Sequence, residues 1–149
     1  ITGQEIFQVM YCSQYKFDKE EVIQMLEETT VKVKEEYKAG KRLEEKPRIL
    51  VTGSPMGGVT EKVIRAIEEN GGLVVAYENC TVAKAVERLV DENESDVYQA
   101  LTDKYINIGC ACMSNNQPRK ELLSQMIDDY QVDGVIDMVL QNCIPFTEE

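Results

Sequence analysis

The chain has 149 residues, 27 acidic and 16 basic side chains, and a net charge of −11 with no histidine. Without histidine there is no Ser-His-Asp or Cys-His pair, no imidazole shuttle and no His-ligated zinc. The acidic balance argues against nucleic acid or an anionic membrane as partner, and no apolar run approaches the ~20 residues that span a bilayer.

Residues 1–47 are expected as a helical lead-in and residues 48–149 as a Rossmann-like α/β domain. The boundary falls at Lys46-Pro47-Arg48, where a mixed-charge stretch gives way to Ile49-Leu50-Val51. Asp18 with Glu21 three residues on predicts the start of one long helix. Val22, Leu26, Val33 and Tyr37 share its apolar face, and Gly40 is its stop.

Arg48–Thr52 predicts a buried strand. Gly53–Gly58 predicts a loop, and a helix follows from Thr60 with Val63, Ile64 and Ile67 inward until Gly71-Gly72. Leu73–Ala76 is the second expected strand. Thr81 and Ser95 are expected to cap two further helices. Ile106–Ile108 is expected as a short third strand and Gly109–Gln117 as a loop. Pro118 suits a first helical turn, and Leu122, Leu123, Met126, Ile127 and Tyr130 form an apolar stripe. Val135–Leu140 is the expected fourth strand. Strands separated by helices imply parallel pairing, hence a doubly wound, flavodoxin-like sheet of about four strands.

Ligands of such sheets bind beyond the carboxyl ends of the strands. Four features follow expected strands: the Gly53–Gly58 loop, Cys80, Cys110 with Cys112, and Cys143. The loop places Gly53, Ser54, Gly57 and Gly58 before a helix N-terminus, where free amides bind anions. It is neither G-x-G-x-x-G nor a P-loop with its lysine, and a tight turn explains it equally. Cys110-Ala111-Cys112 lacks C-x-x-C spacing; in an extended loop the two thiols would share a side. Cys80 precedes an expected helix start that would favour thiolate. Buried inert thiols are the competing reading for all three. Cys12 reads as a core or surface thiol. Cys143 lies in a loop shaped by Pro145, and such loops present thiolates to iron–sulfur clusters; one thiol alone cannot hold a cluster. No secretory signal opens the chain, so reduced thiols and a cytoplasmic protein are expected.

Several segments carry a resemblance. They are Arg48-Ile49-Leu50-Val51-Thr52-Gly53-Ser54-Pro55 and Val74-Val75-Ala76-Tyr77-Glu78-Asn79-Cys80-Thr81. Further on come Ile108-Gly109-Cys110-Ala111-Cys112-Met113, Arg119, Val132-Asp133-Gly134-Val135-Ile136 and Cys143-Ile144-Pro145-Phe146. In this order and spacing they resemble the D-component family of 2-hydroxyacyl-CoA dehydratases, which includes benzoyl-CoA reductase subunits. The resemblance implies a longer parent of two Rossmann-like halves, with this chain as the second; that would account for Ile1 at the start. It implies a [4Fe-4S] cluster with Cys143 as one ligand and two cysteines from the first half. Cys12, Cys80, Cys110 and Cys112 inherit no role from it.

The implied activity is that of a lyase. An ATP-hydrolysing activator protein donates one electron, which reaches the thioester carbonyl of an acyl-CoA substrate through the cluster. The ketyl radical expels the hydroxyl group as an enoyl-CoA forms. A second dehydratase subunit is the implied partner. Two other readings are a non-catalytic phosphate-ligand-binding module, and a catalytically silent partner subunit.

Overall fold

Thr2 and Glu5 close a capping box at the start of helix α1 (Gly3–Gln14): Glu5 N donates to Thr2 Oγ1 at 3.2 Å and Thr2 N to Glu5 Oε2 at 2.8 Å. This computed structural model describes residues 1–113 and 115–147. The sequence reading has no element over α1. Its signal was present as Thr-x-x-Glu before an apolar stripe of Phe7, Met10 and Tyr11. Helix α2 (Lys19–Lys38) follows with Asp18 as its cap, and Gly40 ends it at φ +87°. Of its expected apolar face only Val22 is buried; Tyr37 is 62% exposed.

Strand β1 (Arg48–Gly53) leads through helix α3 (Gly58–Glu69) to strand β2 (Leu73–Glu78). Helix α4 covers only Ala83–Val86, with Val82 and not Thr81 at its cap. Helix α5 (Val97–Ile106) is capped by Asp96, whose carboxylate accepts from Tyr98 N and Gln99 N. Asp96, not Ser95, takes that position because its side chain reaches both free amides. Helix α6 (Gln117–Asp129) carries Pro118 in its first turn. Strand β3 (Gly134–Met138) and the short helix α7 (Ile144–Thr147) complete the order.

Among the described residues the sheet has three strands, order β2-β1-β3, all parallel. The expected strand at Ile106–Ile108 does not form. Helix α5 runs through Ile106, which is 61% exposed and has no neighbouring strand to pair with. The α/β architecture with helix-linked parallel strands stands, with fewer strands than the expected four.

The sheet is covered on both faces. β1 alternates: Val51 joins Phe7, Ile64, Val74, Tyr77 and Met138 on one side. Leu50 joins Ala76 and Met126 on the other, beneath Leu122 and Leu123 of α6. Period-two alternation sends neighbours to opposite faces. Burying a side chain such as Ile64, at 0% exposure, contributes roughly 1.5–3 kcal/mol. Helix α1 packs on α3 and β2, so the first residues of the chain belong to the main core.

Candidate functional site

The carboxyl ends of the strands are held by charge. Glu78, the last residue of β2, is fully buried, and Thr52 of β1 and Lys84 of α4 are buried beside it. Thr52 Oγ1 donates to Glu78 Oε2. Arg119, in the first turn of α6, donates from Nε to the same oxygen at 3.2 Å and from Nη2 to Thr52 Oγ1 at 2.9 Å. Lys84 Nζ lies 2.9 Å from Glu78 Oε1, but its approach falls outside hydrogen-bond geometry, so this is a charge contact. The Phe146 ring of α7 faces both cations, 5.3 Å from the Arg119 guanidinium carbon and 5.7 Å from Lys84 Nζ. Sequence reasoning missed this cluster. Its one local signal is a carboxylate closing an otherwise apolar strand, Leu-Val-Val-Ala-Tyr-Glu.

The thiols gather around these ends. Cys80 follows β2, and Cys143 follows β3 after a turn in which Asn142 sits at φ +66°, a conformation asparagine tolerates. Leu140 O accepts from Cys143 N at 2.9 Å. Cys110 and Cys112 arrive from the loop before α6, not from a strand end as expected. Asn116 Nδ2 donates to Cys110 O at 2.8 Å and fixes that loop. The Cys112 thiol is pushed above its ordinary pKa. Electrostatic repulsion by neighbouring Cys110 is the leading cause, followed by the hydrogen bond with Cys110, burial, and weaker repulsion by Cys143 and Cys80. Cys110, Cys143 and Cys80 therefore each stand within electrostatic reach of Cys112, and none of the four is in a disulfide. Cys12 is exposed on α1.

A cleft of about 510 Å³ opens beside them, lined by Cys112, Met113, Asn116, Lys120, Ile144 and Pro145 among others. A larger hollow of about 670 Å³ lies at the opposite end of the strands, against Arg48 and Leu73. No cysteine lines it, whereas Cys112 lines the smaller cleft, which is therefore the better candidate.

The glycine-rich segment divides in two. Gly53 has φ +104°, and a Cβ there would stand 2.4 Å from Met138 O and 2.5 Å from Asp137 Oδ1. Ser54 is buried; its amide donates to Met138 O at 2.8 Å and its hydroxyl accepts from Leu140 N at 3.4 Å. Gly53 and Ser54 thus stitch the end of β1 to β3. Gly57 (φ +50°) and Gly58 face more open space, with no atom within 4 Å of a Cβ on Gly58.

The donor chemistry fits an iron–sulfur group: reduced thiols, no histidine, at the carboxyl edge of a parallel sheet. Among the described residues no three cysteine or carboxylate side chains converge on a single metal-ion position. Also among them, no helix is long and apolar enough to cross a membrane.

The family profile for the D-component of 2-hydroxyglutaryl-CoA dehydratase matches residues 1–149. The chain is 52% identical over 149 residues to a protein of Escherichia coli (strain K12) that carries the provisional name dehydratase subunit YjiM. It covers 39% of that relative's length. The chain belongs to the 2-hydroxyglutaryl-CoA dehydratase D-component family.

Proposed function

We propose that this chain is the second half of a cytoplasmic 2-hydroxyacyl-CoA dehydratase subunit and that Cys143 is one ligand of its [4Fe-4S] cluster. The observation that supports this best is the setting of Cys143. It follows β3 and shares the carboxyl edge with Cys80, Cys110 and Cys112, and it acts electrostatically on Cys112 as Cys110 and Cys80 do. When bound, the cluster supplies one low-potential electron, received from an ATP-dependent activator protein, for a radical loss of water from the acyl-CoA substrate. The chain's own part is to fix Cys143, to wall the site with α6 and α7, and to meet a second dehydratase subunit.

The open start of α3 at Gly57 and Gly58 suits a phosphate of coenzyme A, because free amides at a helix N-terminus favour anions. Gly53 and Ser54 hold the shape of that segment. The same feature supports a second reading, a phosphate-binding module without catalysis. Calorimetry with coenzyme A and simple nucleotides separates them. Nucleotide binding that survives Cys143→Ser but not Gly57→Val would favour the module.

The main reading is tested by anaerobic reconstitution with iron and sulfide, of residues 1–149 and of a subunit-length protein in parallel. The longer protein is expected to show a stoichiometric cluster in its absorption spectrum, and residues 1–149 alone an incomplete one. A stable, stoichiometric cluster on residues 1–149 alone would contradict a ligand set shared with another half.

A further inference from the structure

Three loops bring thiols to the carboxyl edge, and each is tied to the same buried ion cluster. Cys80 stands two residues beyond Glu78. The Cys110 loop presses on Arg119: a Cβ on Gly109 would stand 2.8 Å from Arg119 N and Cα. Cys143 O accepts from the amides of Phe146 and Thr147, each at 3.1 Å, and the Phe146 ring then meets Arg119 and Lys84.

Lys84 is the member that stability explains least. Arg119 and Thr52 make directed bonds to Glu78, whereas the Lys84 ammonium, 3% exposed, makes a charge contact and a ring contact and no directed bond among the described residues. Burying an ammonium is costly, and an apolar side chain of similar length is often tolerated as well or better in such a place. What the lysine adds is a positive charge under the ring of the helix that follows Cys143.

We propose that Lys84 is a positioning residue for Cys143: through Phe146 it holds the turn that carries this thiol against the ends of β1 and β2, and its charge acts on the group held at the thiol edge. The second clause rests on the cluster reading above; the first does not. A positive charge near a redox group favours its reduced, more negative form.

The test uses Lys84→Met and Lys84→Arg in the subunit-length protein. Methionine keeps the length and leaves Glu78 paired with Arg119, so the fold is expected to survive. Hydrogen exchange of the metal-free protein reads the position, and the midpoint potential of the reconstituted protein reads the charge. In Lys84→Met, exchange over residues 143–147 is expected to rise about tenfold, the scale of losing one buried cation–π contact. The potential is expected to move negative. Lys84→Arg is expected to restore both. Unchanged exchange in Lys84→Met would overturn the positioning role, and an unchanged potential would overturn the charge role. Equal perturbation by both variants would assign the effect to packing and overturn the proposal. If Lys84→Met does not fold, Phe146→Leu, which keeps apolar bulk but removes the ring face, is expected to give the same rise in exchange, and wild-type exchange there would overturn the role. A wild-type protein that loads no cluster would sink the cluster reading, while the exchange measurement still decides the positioning.

Discussion

Arg119 Nε lies 3.2 Å from Glu78 Oε2, joining the first turn of α6 to the end of β2 in a setting where neither side chain is more than 8% exposed. The residues are 41 apart in sequence, and the contact fixes the loop before α6 relative to the sheet. Because Lys84 and Thr52 share the same carboxylate, Glu78 is the centre that three elements depend on.

Glu78→Gln should therefore be strongly destabilising. It leaves two buried cations without their carboxylate, and breaking a buried pair from one side costs about 3–5 kcal/mol. Denaturant unfolding of residues 1–149 measures this, and a loss below about 1 kcal/mol would contradict the shared-carboxylate arrangement.

Gly53→Ala and Gly40→Ala should differ. Both glycines have positive φ, +104° and +87°, which costs an alanine on the order of 1–2 kcal/mol. At Gly53 the added Cβ also meets Met138 O and the Asp137 carboxylate, whereas at Gly40 nothing lies within 4 Å. Gly53→Ala should thus lower the unfolding midpoint clearly more than Gly40→Ala; equal losses would contradict the close approach of β1 and β3.

Tyr77 should make the fold sensitive to alkali. Its hydroxyl donates to Gly3 O at 2.6 Å, and burial, with a smaller contribution from Glu68, pushes the phenol well above its ordinary pKa. The folded chain holds this proton more tightly than the unfolded chain, whose tyrosines ionise near pH 10. The contribution is therefore complete below about pH 10 and is lost progressively above it. Tyr77→Phe should cost about 1–3 kcal/mol at neutral pH and flatten the alkaline fall. Unfolding curves at neutral and alkaline pH check both effects.

Cys110→Ser should make Cys112 more reactive. Cys110 is the leading cause of the raised Cys112 pKa, and the thiolate is the reacting form. Alkylation of Cys112 at mildly alkaline pH, followed by peptide mass spectrometry, should quicken in the variant. An unchanged or slower rate would contradict the proximity of the two thiols.

Much of the sheet was legible because its signals are local. The apolar run at Arg48–Thr52, the stripe around Ile64 and the Asp18 cap each report an element by their own spacing. Ile106–Ile108 misled because a short β-branched run reads alike at a helix end and in a strand. Tyr37 misled because an apolar stripe on α2 does not say whether anything covers it. Cys110 and Cys112 do reach the thiol edge, but through the start of α6 and not from a strand end. The cluster of Glu78, Lys84, Arg119 and Phe146 was not legible, since its members belong to separate elements and only the folded sheet brings them together.

The most direct test of the account is the iron and acid-labile sulfide content of the anaerobically reconstituted subunit-length protein, compared with its Cys143→Ser variant. The account predicts a stoichiometric cluster in the unchanged protein and a marked loss of both iron and sulfide in the variant, with the fold intact by circular dichroism. Full retention of iron and sulfide by Cys143→Ser would contradict it.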